Sequence, residues 1–279
     1  MALTTFAGIV AGKLKFQYPI TKNNSALTSY SPSTFCRTSW EYYGYPIVGT
    51  YNSTLDGVTL SANSGGVQFP NPASGETRIT GFRGVYGSSP TTFGPFVIIA
   101  DRLWHNGGIS ITSTSPQSIA SPTWPARDDN GSTNGRGVYL GVEVSSSCGA
   151  ATPTITVSYT NSDGTSGRTA TNIYSTQSSA PRTSFYPLNL QAGDVGVKSV
   201  ESITLSASWV SGTINLVAYR AIGAIGPPDR TTSKTITEDA VRIGFGKVYD
   251  DAVLYFWSGA NANSGYAARI FGELDFAQG

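Results

Sequence analysis

The chain alternates apolar and polar positions again and again, at the two-residue period of a half-buried strand. Residues 154–160 read Thr-Ile-Thr-Val-Ser-Tyr-Thr and run into a turn at 161–167, where Asp163-Gly164 tolerates positive φ. A polar return strand follows at 168–173, which predicts a hairpin. A second hairpin is predicted from 202–209, a turn at Val210-Ser211-Gly212 and a return at 213–219, with Ile203, Leu205, Ala207 and Trp209 on one core-facing side. Further strands are expected at 67–69, 78–82, 96–104, 108–112, 137–145, 239–243, 252–257 and 267–276. A short helix is expected near 4–14, and no amphipathic helix follows the strands as a βαβ unit would require. Short strands divided by turn signals predict an all-β chain, an antiparallel sandwich of the jelly-roll type with an extended N-terminal arm. The expected division is an arm or docking segment at 1–56, the main sandwich at 57–226, and C-terminal strands at 227–279 that complete or flank it. The break before those last strands is Gly226-Pro227-Pro228-Asp229-Arg230-Thr231-Thr232.

Composition narrows the function classes. Charged residues are 13% of 279 positions, the net charge is +1 and there is a single histidine. Most enzyme chemistry needs clustered titratable groups, so a scaffold or binding protein is expected and a catalyst is not. Scattered basic residues make no phosphate-tracking groove, so no nucleic-acid partner is expected. The apolar run Pro95-Phe96-Val97-Ile98-Ile99-Ala100 is far too short to span a bilayer, and no membrane partner is expected. Residues 1–13 lack a basic lead-in before their apolar positions, so they do not read as a signal peptide, and folding in a cytoplasm is expected. Cys36 and Cys148 match no metal or redox spacing. In a reducing compartment both are expected as partly buried thiols, with a disulfide formed after lysis as the alternative.

The candidate chemistry is sparse. His105 follows Asp101, which could orient it as a base or ligand, but no second imidazole or thiolate pair completes a transition-metal site, so a structural histidine is expected. Asp128-Asp129 and Asp250-Asp251 are adjacent in sequence, and adjacent carboxylates on an extended chain point apart, unlike a glycosidase pair. The turn at 128–130 lacks the acidic spacing of an EF-hand loop and is expected to be solvated, a Ca²⁺ site being the lesser alternative. Trp104, Trp124, Tyr139 and Tyr174 are candidates for a sugar-stacking platform, against packing inside the sandwich. Phe6, Phe16, Tyr18, Trp40, Tyr42, Tyr43 and Tyr45 are the candidate interface residues, because Tyr and Trp suit contact surfaces; the cluster at 40–46 equally suits covering one end of the core. No cofactor is expected.

Two stretches carry a resemblance. Asp101-Arg102-Leu103-Trp104-His105-Asn106-Gly107-Gly108-Ile109, and Trp124-Pro125-Ala126-Arg127-Asp128-Asp129-Asn130-Gly131-Ser132-Thr133-Asn134-Gly135, resemble structural proteins of tailed bacteriophages. The hairpin from 153–160, the segment 185–194 and the closing Ala277-Gln278-Gly279 are similar too, and the likeness is strongest over 101–219. The resemblance implies a virion structural protein with no catalytic residues. No long spine helix of a major capsid protein is visible, so a capsid cement or decoration protein on the head surface, made in the host cytoplasm, is expected. Its partners would be the major capsid protein and copies of itself, a trimer being favoured. The alternative is a tail or head-fibre protein that binds host surface carbohydrate.

Overall fold

A strand has two faces, and the central strands of this protein bury both over most of their length, which forces the sheets into layers. The computed structural model describes residues 3, 5–12, 18–23, 35–37, 54–61, 71–72, 74–87, 96–225, 234–244, 246–259 and 269–279. Its elements begin with α1 (Phe6–Gly12), β1 (Tyr18–Asn23), β2 (Phe35–Arg37), β3 (Val58–Thr59), β4 (Thr77–Gly87), β5 (Phe96–His105) and β6 (Gln117–Ser118). Next come β7 (Val138–Ser146), β8 (Ile155–Asn161), β9 (Arg168–Asn172), β10 (Ser184–Asn189), β11 (Val197–Leu205) and β12 (Thr213–Ile225). The last are β13 (Lys234–Asp239), α2 (Ala240–Ile243), β14 (Lys247–Val248), β15 (Leu254–Gly259) and β16 (Arg269–Gln278).

The protein is an all-β antiparallel sandwich of curled sheets, compatible with the expected jelly roll. At its centre six strands pair in a ring, β2-β15-β5-β12-β7-β10, with β2 joined to both β15 and β10. Ring closure removes the sheet edges that an open sheet would leave. A second, five-stranded sheet has the order β1-β16-β4-β13, with β14 also on β4, and lies on one side of the ring. On the other side β10 leaves the ring and continues as β10-β9-β8-β11-β6. The change of sheet falls within one strand: Phe185, Tyr186 and Pro187 pair with β7, whereas Leu188 and Asn189 pair with β9. Pro187, with no N–H for a ladder, stands at that corner, and its carbonyl accepts from Ile173 N at 3.1 Å.

Alternation along the ring strands sorts three cores. On β15, Leu254 and Phe256 face the five-stranded sheet and pack with Phe82, Leu274 and Phe276. Tyr255 and Trp257, one residue out of phase, point into the ring with Phe185, Val217 and Tyr219. On β7, Val138, Leu140, Val142 and Val144 face the third layer and meet Ile155, Val157, Tyr159, Ile203 and Leu205. Trp257 stacks on Phe185 with ring centroids 4.4 Å apart, and Tyr219 meets both rings edge-on. The described parts of 1–56 are joined to this body: β1 pairs along β16, β2 completes the ring, and Leu3 of the α1 region is buried.

Several expected elements form as read, among them the β8–β9 hairpin, β5, β7 and β15, and α1 lies inside the helix expected near 4–14. The second hairpin does not. β11 pairs with β8 and β6, while β12 pairs with β5 and β7, so residues 206–212 are a crossing between layers. Strand geometry ends at Leu205: Trp209 is buried as expected, but Ala207 is exposed, and Val210 (φ +69°) and Gly212 (φ +106°) reverse the chain. The strand expected at 108–112 is a loop, in which Gln117 both accepts from Ser110 N and donates to Ser110 O, replacing ladder bonds. The strand expected at 239–243 is helix α2, because Asp239 Oδ1 accepts from the amides of Val241 and Arg242 and caps a helical turn, which Gly244 ends at φ +94°. The strand expected at 67–69 and the break at 226–232 lie outside the described residues.

Gly141 on β7 faces the ring interior, where a Cβ would overlap the Phe185 ring held by Trp257. Gly141→Ala should therefore destabilise the fold by about 1–3 kcal/mol, measured by denaturant unfolding. A Gly141→Ala, Phe185→Leu double variant should recover part of that loss.

Candidate functional site

The two sequence stretches that carry the resemblance come together where β5 ends. Asp101 and Arg102 are successive strand residues and so point to opposite faces, and both are fully buried. Inside the ring, Arg102 Nη1 lies 2.6 Å from Glu143 Oε2 of β7, with both side chains 0% exposed. Its guanidinium stands 5.0 Å from the centroid of the Tyr255 ring. Outside the ring, Arg127 grips Asp101 with two nitrogens, Nε at 2.8 Å and Nη2 at 3.2 Å. The same guanidinium donates to Leu60 O, and Asp101 Oδ1 also accepts from Val253 N at 2.9 Å.

Asp128 organises the loop that follows Arg127. Its carboxylate accepts from the amides of Asn130, Ser132, Gly135 and Arg136 and from the Ser132 hydroxyl, at 2.7–3.2 Å. Burial pushes the Asp128 pKa up, but the bonds from Ser132, Asn130 and Arg136 outweigh it and hold the group below its ordinary value. The solvated turn expected at 128–130 is thus overturned at Asp128, which is 0% exposed, although Asp129 and Asn130 remain exposed. A carboxylate surrounded by N–H and O–H donors is also the opposite of a cation site. Among the described residues no group of three or more His, Cys, Asp or Glu side chains could hold a metal.

The remaining candidates fall into place individually. His105 is buried, and desolvation together with Arg102 lowers its pKa to about 3 against a smaller opposing effect of Glu143, so the imidazole is neutral at neutral pH. Asn106 beside it accepts from Leu216 N and donates to Leu55 O, closing the end of β5 onto neighbouring chain. Trp104 and Trp124 are buried with centroids 5.4 Å apart and donate to Asp56 O and Val197 O, so neither belongs to a sugar platform. Tyr139 and Tyr174 are 41% and 44% exposed. Asp251 is bonded to Asn71 through side chain and amide. Cys148 is a free buried thiol whose pKa burial raises to about 12. Of the candidate interface residues, Phe16, Trp40, Tyr42, Tyr43 and Tyr45 lie outside the described residues. Phe6 sits on α1 and Tyr18 opens β1 opposite Leu274.

Sequence reasoning missed Glu143 and Asp194. The signal for Glu143 was one carboxylate inside the run Val142-Glu143-Val144, at a position where a buried strand tolerates charge only with a partner. Asp194 accepts from Arg168, Tyr159 and Asn161 at 2.6–2.9 Å, and the Arg168 bond leads in lowering its pKa to about 2.

No protein-family description and no curated protein matches this chain. Among solved structures it is similar to the T=1 particles derived from infectious bursal virus, at 8% identity and a TM-score of 0.19, over 96% of this chain and 79% of that one. It is also similar to the VP2 subviral particle of infectious bursal disease virus, at 9% identity and a TM-score of 0.15, over 94% and 79%. At such TM-scores neither likeness carries an argument.

Two predictions follow from the buried charges. Glu143→Ala, which leaves Arg102 buried and unpaired, should cost about 3–5 kcal/mol in chemical unfolding, whereas Arg102→Met with Glu143→Leu should cost far less. Asp194 has a folded pKa below its ordinary value of 3.8, so its stabilisation is present above about pH 4 and is lost as pH falls towards 2. Asp194→Asn should lower stability at pH 7, and its difference from the parent should shrink across that window in acid titrations of Tm.

Proposed function

We propose that this chain is a non-enzymatic structural protein of a virus particle, a cement or decoration protein that stabilises an assembled head by binding between capsomers. The observation that carries this reading is the commitment of Asp101, Arg102, His105, Arg127 and Asp128 to the framework. They are five of the six ionisable groups in the stretches most like tailed-phage structural proteins, and all five are buried, whereas the sixth, Asp129, is exposed. They join strands and loops, which is the work of a scaffold. The outer positions of β8 and β9 are hydroxyl-rich, with Thr169 and Thr171 exposed and Ser158 and Thr160 hydrogen-bonded to Glu201. Such a surface suits broad contacts with little electrostatic steering. The partners in this reading are the major capsid protein and copies of this chain, with the aromatic N-terminal residues at the docking surface. A protein that binds only the assembled lattice shifts the equilibrium towards the intact shell, and many weak contacts add through multivalency.

The exposed rings of Tyr139 and Tyr174 favour a second reading, a tail or head-fibre protein that binds carbohydrate through ring faces. Cryo-EM of the parent particle, with copy number from quantitative gels, separates the two. Density at local twofold or threefold positions of the head in hundreds of copies is expected for cement. Density confined to the tail or to one vertex would reject that role and put the carbohydrate reading first.

A further inference from the structure

β13 ends the five-stranded sheet. Among the described residues β4 is its one strand neighbour, and no described strand pairs with its far edge. Two other edges among the described residues are blunted. β1, on the opposite side of the sheet, contains Pro19, which has no N–H to donate. In the third layer β11 is interrupted by register shifts between Val197 and Ser199 and between Val200 and Ser202, and the two-residue β6 covers part of it. β13 contains neither proline nor bulge, and its register on β4 runs without a break from Lys234↔Tyr86 to Asp239↔Gly81.

The sequence of this edge is complementary to itself. When a strand pairs antiparallel with its own copy about a twofold axis, facing residues must direct their backbone groups alike, so one residue faces itself. Centring the axis on Ile236 sets Ile236 opposite Ile236, Thr235 opposite Thr237 and Lys234 opposite Glu238 of the second copy. Each is a favourable cross-strand pair. Centring it on Thr237 would set Ile236 opposite Glu238 and Thr235 opposite Asp239, whose carboxylate already caps α2. The strand stops at that cap, so the pairing segment is bounded. Just beyond it Val241 stands 88% exposed on α2, an apolar side chain at the rim of the edge. We propose that β13 is a self-pairing edge that joins two copies of this chain into a twofold dimer with one continuous sheet. This inference does not depend on a place in a virus particle.

The test is the mass of the full chain in solution, by light scattering or sedimentation, at concentrations up to about 100 µM, where a micromolar contact is populated. The parent chain should form dimers. K234E and E238K each place like charges opposite one another twice, and should weaken the dimer at least about tenfold. An equimolar mixture of K234E with E238K restores both opposite-charge pairs and should dimerise again, as should the double variant; misfolding cannot produce that recovery. A monomeric or trimeric parent, single variants that keep the dimer mass, or a mixture that stays monomeric would each overturn the proposal.

Discussion

The structure depends on neutralising two neighbouring charges on opposite faces of one central strand, where both are fully buried. Asp101 and Arg102 cannot share a partner, because the pleat sends them apart, and neither reaches water. Each therefore fixes a different part of the molecule. Arg102 ties β5 to Glu143 across the ring interior, and Asp101 draws in Arg127, and with it the loop that Asp128 folds about itself. The Leu60 carbonyl and the Val253 amide join the same outer cluster, so chain segments distant in sequence meet at one carboxylate and its guanidinium. Removing one member of either pair would leave its partner buried alone, so neither charge can be lost singly without a large cost.

The sequence revealed the fold class wherever alternation was regular. β7 and β8 obey the two-residue period, while β15 is a continuous apolar run whose alternate side chains divide between two cores. It failed where one side chain overrode the pattern. Asp239 caps a helical turn in a segment read as strand, and Gln117 substitutes for a ladder at 108–112. The pairing of β11 and β12 was misread for a different reason. Both alternate and a turn lies between them, but local pattern does not distinguish a hairpin from a crossing between layers; only their remote partners do. At the candidate site, Asp101 reads from sequence as a possible partner of His105, and Asp128 as half of an adjacent carboxylate pair. The true partner of Asp101 arrives from elsewhere in the chain as Arg127, while Asp128 is buried by a loop that folds back onto its carboxylate.

β10 shows how few residues connect two layers. Its first half belongs to the ring and its second half to the sheet beyond, with Pro187 between them. Phe185 points into the ring while Tyr186 and Leu188 face the third layer, so a six-residue strand contributes to two cores. The hydroxyl-rich strands β8 and β9 are thereby fixed to the ring through main-chain bonds as well as side-chain packing. A load applied to the outer layer would pass along the backbone of β10 into the ring.

Ring closure also sets an order on biosynthesis. β2, at residues 35–37, pairs with β10 on one side and with β15, at residues 254–259, on the other. β5 likewise needs β15 along one edge. As the chain leaves the ribosome, β8 and β9 can form their hairpin early, but the ring stays open until β15 has been made. Its aromatic lining and the Arg102–Glu143 pair remain accessible to water until then, and the final closure brings together segments of very large sequence separation, a slow kind of step. The nascent protein thus passes through a period in which the aromatic lining of its ring is uncovered, and its yield in a cell depends on how quickly β15 arrives.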